Sequence, residues 1–185
     1  GFKEVSYEQE LKRLNFFISN FFGKFKLSID TMNYEIAKHA LENNFEIVND
    51  VSGFNDLNMI QLITEKAPKI ILVHRHPNSS DIQEKMNYKD VVKEVRDHLE
   101  KKIENLISHG VDKNRISIDP GLGFGKSMED SQKLFKNLEN FCFGFPLIVG
   151  YSKKKFAQNL EMTDEELYDH CINSGVSLVR LHIAS

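Results

Sequence analysis

The sequence predicts an α/β fold in which parallel strands alternate with helices, and two observations support this prediction. Six short β-branched runs recur along the 185 residues, and segments with helical periodicity lie between them. No linker or low-complexity tract interrupts the alternation, which is the pattern of consecutive βαβ units. We therefore expect residues 1–185 to form one domain.

The positions of these elements follow from the apolar pattern. The predicted strands are KLSID (26–30), FEIVND (45–50), KIILVH (69–74), ISIDP (116–120), PLIVGYS (146–152) and SLVRLH (177–182). Apolar residues at helical spacing predict helices over residues 7–22, 33–44 and 87–110. The third of these segments stops at Gly110, as expected at a helix C-terminus.

A polar side chain stands at the carboxyl end of every predicted strand. In chain order these are Asp30, Asn49 with Asp50, His74, Asp119, Ser152, and Arg180 with His182. Active sites of (β/α)₈ barrels are built from strand ends of this kind, which favours a barrel over a doubly wound open sheet. Helix capping is the alternative, and it could account for Asp50 or Ser152. It explains Arg and His poorly, because neither is a usual N-cap residue.

Composition and charge restrict the possible partners. The net charge of −3, with acids and bases interspersed, argues against a nucleic acid held by charge alone. The longest apolar runs have the length of a strand, so neither a membrane span nor a signal peptide is expected. Cys142 and Cys171 lack metal-type spacing, which predicts free thiols and a cytoplasmic location.

The segment ISIDPGLGFGKS (116–127) has the most distinctive local pattern. A predicted strand stops at an acid, a proline follows, and three glycines then surround a phenylalanine. Glycines permit tight turns and let a ligand approach the backbone closely. The order of residues matches neither the Walker loop nor the dinucleotide-binding fingerprint. We therefore expect this loop to meet a ligand that is small and either flat or anionic.

Four ordered segments resemble signatures of the dihydropteroate synthase family. They are LSIDTMNYEIAKHALENNFEIVNDVSG, ISIDPGLGFGKSMEDSQKLFKNLENF, FPLIVGYSKKKF and VSLVRLH. The resemblance implies a TIM barrel and a transferase of folate biosynthesis that is inhibited by sulfonamides. Such an enzyme condenses p-aminobenzoate with 6-hydroxymethyl-7,8-dihydropterin diphosphate to give 7,8-dihydropteroate and diphosphate. It also implies Mg²⁺ as a cofactor and a homodimer.

The same resemblance implies that this chain represents only part of the barrel. The chain has about six βα units, which match strands three to eight without the amino-terminal strands and the last helix. The family's metal-coordinating asparagine lies in those missing strands, so no metal ligand is expected in this chain. We accordingly expect this chain alone to bind a pterin weakly and to form no dihydropteroate.

For the pterin, the resemblance implies three polar ligands and a loop wall. Asp119 would lie at the floor of the pocket, where one carboxylate can accept both the ring N–H and the exocyclic amine. Asp30 and Asn49 would bind the rest of the ring edge, and an Asn offers a donor and an acceptor together. Gly123 would keep the loop thin, and Phe124 would face the aminobenzoate ring.

For the other substrate groups, the resemblance implies four further side chains. Lys154 would lie against the pterin and contact the aminobenzoate side, where Ser152 would bind the carboxylate. Arg180 and His182 would hold the diphosphate, which a planar guanidinium suits. Asp119, Lys154 and Arg180 are the predicted catalytic residues, and none of them acts as a nucleophile.

Arg75 departs from the family pattern, because it stands where a methionine would pack over the pterin. It could face the diphosphate or turn outward, and the sequence favours neither. Together with the missing strands, Arg75 leaves open an alternative function, a non-catalytic or regulatory pterin-binding paralogue.

Other basic residues receive less specific predictions. Lys126 is expected to be a surface or loop-stabilising cation rather than a substrate contact. His39, His98 and His109 lie in helical segments and are expected at the surface. His74 and His76 do not suggest a metal pair, since no third ligand has suitable spacing.

Overall fold

The computed structural model describes residues 5–21, 23, 25–76 and 87–182. Within these ranges six strands alternate with helices. The strands are β1 (Ser28–Asp30), β2 (Ile47–Asp50), β3 (Lys69–Val73), β4 (Ile116–Asp119), β5 (Ile148–Gly150) and β6 (Leu178–Arg180). The helices are α1 (Tyr7–Phe21), α2 (Tyr34–Glu42), α3 (Leu57–Lys66), α4 (Val91–Ser108), α5 (Met128–Phe135), α6 (Lys155–Gln158) and α7 (Asp164–Asn173).

All strand pairs in the described ranges are parallel, and neighbours in sequence are neighbours in space. Strands β1 to β4 form one sheet in sequential order, and β5 pairs with β6. A parallel bridge between Ile118 and Leu147 joins the two groups, and the Ile118 amide donates to Pro146 O at 2.9 Å. This order is that of a barrel wall, because a doubly wound sheet would reverse its strand order at a switch point. The predicted strand order is confirmed.

Side chains of β3 alternate between two apolar clusters, as the pleat requires. Ile70 and Leu72 belong to the large cluster that includes the buried stripe of α4 (Val91, Val95, Leu99, Ile103, Leu106). Ile71 and Val73 instead pack in a small cluster with Val51 and Ile148. A sheet with helices on its outside and a second apolar layer on its inside is the arrangement of a barrel.

The three helices predicted from periodicity form with slightly shorter bounds. Asn33 caps α2, and Asp90 caps α4, in each case through a side-chain oxygen that accepts from backbone amides of the first turn. Helix α4 ends two residues before Gly110, whose φ of +91° closes the helix as predicted. None of the helices in the described ranges has the length and apolar character needed to cross a bilayer. The single-domain organisation stays a prediction.

Two of the helical histidines are less exposed than predicted. His98 is half-buried, with its ring centroid 4.9 Å from that of His74 in an edge-to-face arrangement, and burial lowers its pKa to about 4. His39 is also half-buried, and its Nε2 lies 2.7 Å from Asn15 Oδ1. His109 is exposed, as predicted. A histidine among charged helix residues is expected to be exposed to solvent. In the structure, His98 instead lies on the face of α4 that meets the end of β3.

Gly121 brings the loop after β4 against the end of β3. Its φ is +67°, and a Cβ at this position would overlap the backbone carbonyl oxygen of His74. We expect Gly121→Ala to lower the free energy of unfolding by roughly 2–4 kcal/mol, since backbone strain and a backbone clash add. Gly144→Ala is the control, because Gly144 has a φ of +99° but open space around it.

Urea denaturation of both variants measures the difference. The control should cost only about 1–2 kcal/mol, from the φ angle alone. Equal losses in the two variants would contradict the close approach of the loop to His74.

Candidate active site

Side chains from the ends of four strands meet in one hydrogen-bonded group. Asn49 Nδ2 donates to Asp30 Oδ2 at 2.8 Å, joining β2 to β1. Arg180 at the end of β6 donates through Nη2 to Asp119 Oδ2 at 3.1 Å. The other guanidinium nitrogen, Nη1, lies 3.7 Å from Asp30 Oδ2. The structure thus brings together four residues that the sequence predicted as one site.

The Asp119 carboxylate is buried, with 1% of the residue exposed. One oxygen, Oδ1, accepts from the Gly121 amide at 2.8 Å, and Oδ2 accepts from Arg180. A buried carboxylate is tolerated only where a cation and hydrogen bonds replace its hydration. The glycine loop and Arg180 supply these partners when no substrate is bound.

Asp30 lies at the open side of the group, and its side chain keeps 60% of its surface exposed. Despite this opening, the surrounding protein desolvates the carboxylate and raises the pKa of Asp30. The Arg180 guanidinium and the Asn49 amide oppose that increase. Asp30 therefore has a partly solvated edge that a ligand can reach.

Asn49 presents a buried acceptor that no donor reaches in the described ranges. The residue is 1% exposed, and its Oδ1 has no hydrogen-bond partner there. The orientation of the amide is fixed by Asp30, because a carboxylate must meet the NH₂ group rather than the oxygen. Buried polar atoms are nearly always paired, so this acceptor beside Asp30 is suited to a donor group of a ligand.

Lys154 lies against the glycine loop and supplies a cation at this side of the site. Its Nζ donates to Leu122 O at 2.6 Å and lies 4.8 Å from the centroid of the Phe124 ring. Burial lowers the pKa of Lys154, and Asp119 opposes this decrease. Gly123 is exposed beside it, and a Cβ there would come within 3.6 Å of Lys154 Cδ. Phe124, Gly123 and Lys154 therefore form one continuous wall.

Ser152 and His182 connect the ends of β5 and β6. The His182 amide donates to Ser152 Oγ at 3.3 Å. The capping interpretation is wrong for Ser152, since Lys154 is the residue that precedes α6. It is wrong for Asp50 as well, because its carboxylate accepts from Ser52 N and Phe54 N in the turn before α3. The contacts of Ser152 and His182 with substrate stay predictions.

Arg75 extends over the strand ends towards the loop after β1. Its Nη1 lies 3.8 Å from Met32 Sδ, and the residue is half-buried. The contact with Met32 excludes neither of the two alternatives for Arg75. An interaction of Arg75 with a diphosphate stays a prediction.

Sequence reasoning missed the burial of Lys126. Only 5% of the residue is exposed, and its Nζ donates to Gly121 O and Phe124 O at 2.9 and 3.1 Å. The loop-stabilising interpretation of Lys126 is therefore right and the surface interpretation wrong. The two carbonyls are local, but the third partner, His74 Nδ1, lies 52 residues earlier in the chain, and no local pattern predicts that contact.

The described residues do not form a metal site of their own. Nowhere in these ranges do three or more His, Cys, Asp or Glu side chains come together in a way that could hold a metal ion. Asp30 and Asp119 are instead bridged by the Arg180 guanidinium. The Asp30 and Asp119 carboxylates thus share the Arg180 guanidinium as their cation.

Comparisons with known proteins point to one family. The model of a family described as "Pterin binding enzyme" matches residues 1–182. A dihydropteroate synthase of Streptococcus pyogenes is 33% identical over 196 residues, covering 98% of this chain and 71% of the relative. A bifunctional dihydropteroate synthase/dihydropteroate reductase of Helicobacter pylori is 34% identical, covering 85% of this chain and 43% of that protein. The chain thus spans only part of each relative's length.

Solved structures give the same result. Dihydropteroate synthase of Clostridium difficile, determined in the presence of pteroic acid, superposes with a TM-score of 0.84 at 28% identity, over 98% of this chain and 72% of its own. That of Burkholderia cenocepacia, complexed with 7,8-dihydropteroate, gives 0.86 at 26% identity, over 99% and 72%. The predicted TIM-barrel fold is thereby confirmed. The chain belongs to the pterin-binding enzyme family, among its dihydropteroate synthases.

Proposed function

We propose that this chain supplies the pterin site and the diphosphate-binding side chains of a dihydropteroate synthase. The observation that supports this most strongly is the group of acceptors formed by Asp30, Asn49 and Asp119, in which Asn49 Oδ1 is buried without a donor in the described ranges. A pterin edge presents ring N–H groups beside an exocyclic amine. Such a donor-rich edge complements two carboxylates and a free amide oxygen.

We infer that ring binding changes the partners of Asp119. Its Oδ2 accepts from Arg180, and its Oδ1 accepts from the Gly121 amide. A ring that donates two hydrogen bonds to this carboxylate replaces the guanidinium. Arg180 is then free to turn towards the substrate's diphosphate, for which its planar fork is suited.

The reaction is a substitution at the pterin methylene carbon. The aromatic amine of p-aminobenzoate forms the new C–N bond while the C–O bond to diphosphate breaks, and the amine then loses a proton. The protein contributes alignment and charge stabilisation rather than a covalent intermediate. Asp119 and Asp30 favour the positive charge that develops on the ring, and Arg180 and His182 favour the negative charge on the departing diphosphate.

The wall of Lys154, Gly123 and Phe124 is the proposed contact surface for p-aminobenzoate. The Lys154 ammonium lies over the Phe124 ring and is held there by Leu122 O. A flat aromatic amine can pack on Phe124 while its carboxylate lies near Ser152. A solved relative was crystallised with this substrate, namely Xanthomonas albilineans dihydropteroate synthase with 4-aminobenzoic acid.

Three further features are part of the proposal and need separate tests. Mg²⁺ is proposed to accompany the diphosphate, because phosphate oxygens are ligands it commonly takes. A homodimer is proposed from the resemblance to the dihydropteroate synthase family. A cytoplasmic location is proposed because Cys142 and Cys171 are both free thiols. The magnesium dependence of turnover tests the Mg²⁺ proposal, and sedimentation tests the homodimer.

The test of the proposal compares ring binding with turnover. We expect saturable binding of one 6-hydroxymethylpterin per chain by calorimetry, and formation of 7,8-dihydropteroate by a version extended upstream to the length of the relatives. Binding without any turnover in the extended version would favour the non-catalytic paralogue. No ring binding in either version would contradict the proposal.

A further inference from the structure

The Lys126 ammonium lies inside the loop that carries the ring-binding residues, and the reaction described above does not use it. Its Nζ donates to Gly121 O at 2.9 Å, to Phe124 O at 3.1 Å and to His74 Nδ1 at 3.0 Å. An ammonium group has three N–H donors, and three acceptors take all of them. A buried lysine with every donor paired holds its acceptors in place, much as a bound metal ion holds its ligands.

We propose that Lys126 is a positioning residue that sets the affinity of the pterin site by holding the loop from Asp119 to Phe124 in its binding shape. This inference rests on the proposed function of that site. Lys126 itself touches neither the ring nor the reacting atoms in this proposal. It acts through the two backbone carbonyls that it binds.

Lys126 is connected to Asp119 through a single residue, Gly121. Lys126 holds the carbonyl of Gly121, and the amide of Gly121 donates to Asp119 Oδ1 at 2.8 Å. The same carbonyl accepts from the Phe124 amide at 3.0 Å, which closes the turn. Losing the ammonium therefore loosens both the residue that orients Asp119 and the turn that places the Phe124 ring.

His74 anchors the ammonium to the wall of the barrel. Its Nδ1 accepts from Lys126, so its ring proton is on Nε2 and the imidazole is neutral. Burial lowers the pKa of His74 well below its usual value, and Lys126 and His98 lower it further. The His74 amide also donates to Asp119 O at 2.8 Å. The end of β3 thereby fixes both the ammonium and the start of the loop.

The charged groups around Lys126 decide how its protonation depends on pH. Burial lowers the pKa of Lys126 to about 7, Asp119 and Asp130 oppose the decrease, and Lys154 adds to it. His74 faces the ammonium as a neutral acceptor, with His98 behind it. The ammonium is present below this pH. Above it the neutral amine has two N–H donors and a lone pair, so its hydrogen bonds to the two loop carbonyls lose their charge assistance.

The test uses Lys126→Met, which replaces the aliphatic stem of the lysine with one of similar shape and removes the ammonium with its donors. We expect about 10- to 100-fold weaker binding of 6-hydroxymethylpterin at pH 6, as for loss of buried charged hydrogen bonds. The difference in ring affinity between this variant and the unmodified chain should decrease as pH rises through about 7, because the unmodified chain then loses its ammonium. Ionisation of the ring itself is common to both proteins and cancels in this ratio.

Two further variants make the result decisive. Lys136→Met removes an exposed lysine of the same neighbourhood and should leave ring binding unchanged. Lys126→Gln keeps two N–H donors without a titrating charge, and should bind the ring with a smaller loss that does not vary through neutral pH. If Lys126→Met fails to fold, Lys126→Gln alone carries the comparison.

Amide hydrogen exchange gives a ligand-free measurement on the same proteins. The Gly121 and Phe124 amides should exchange faster in Lys126→Met than in the unmodified chain, while amides of α4 stay protected. Unchanged ring affinity and unchanged loop exchange in a folded Lys126→Met would overturn the inference. If the unmodified chain binds no ring, the proposed function fails instead, and unchanged loop exchange would overturn the positioning role independently.

Discussion

Asp119→Asn should weaken the binding of 6-hydroxymethylpterin by about 10- to 100-fold, more than any substitution on a helix of this protein. Loss of the ionised partner of a buried hydrogen bond costs on the order of 1.5–3 kcal/mol, and about 1.4 kcal/mol corresponds to a factor of ten. An amide also presents one NH₂ group where the carboxylate presented a second acceptor. The ring amine or the ring N–H would then face another donor.

The design of this experiment must separate affinity from stability. In Asp119→Asn the new Nδ2 can face Arg180 Nη2, which now donates to Asp119 Oδ2 at 3.1 Å, so two donors would oppose each other. Calorimetry on the folded variant, with urea denaturation in parallel, measures both effects. Asp169→Asn on the exposed side of α7 is the matched control. Near-unchanged affinity in a folded Asp119→Asn would mean that another acid binds the ring.

Arg180→Met should affect the two halves of the substrate in opposite directions. The unsubstituted ring should bind at least as tightly as before, because Asp119 no longer has a guanidinium to release. Binding of the pterin diphosphate should weaken, and turnover in the upstream-extended version should fall by roughly 100- to 1,000-fold, as when a charge-stabilising donor is removed. Calorimetry with each ligand and an assay of 7,8-dihydropteroate give the two measurements.

The main risk in this variant is structural. Asp119 and Asp30 would lose their shared cation, and a buried carboxylate without its partner can cost about 3–5 kcal/mol of stability. The free energy of unfolding must therefore be measured beside the affinities. Arg115→Met, at a half-buried arginine far along the chain from β6, controls for loss of any one guanidinium. Equal weakening of ring and diphosphate would contradict the exchange of partners at Asp119.

Much of the barrel wall could be predicted because each strand has a local signal. Every strand in the described ranges falls inside one of the six predicted runs, and each begins or ends a residue or two within it. The polar residue at the end of each run lies in its strand or within two residues of the strand's end. Asp119 could be assigned to the site because it stands at the carboxyl end of a predicted strand, in a segment that resembles a signature of the dihydropteroate synthase family.

Partners that lie far apart in the sequence could not be predicted in this way. Arg180 binds a carboxylate 61 residues earlier, and Lys126 binds an imidazole 52 residues earlier. Neither side chain has a local pattern that distinguishes a buried cation from a solvated one. The burial of His98 was missed for the same reason, since it depends on which face of α4 meets the end of β3.

The described barrel wall consists of two sheets that are joined by a bridge between Ile118 and Leu147, and the site lies across this junction. Its acids belong to the four-stranded sheet, whereas Lys154 and Arg180 belong to the part of the chain that forms the two-stranded sheet. A ligand with both a donor edge and an anionic tail would contact residues of both sheets and so hold the two parts of the wall together.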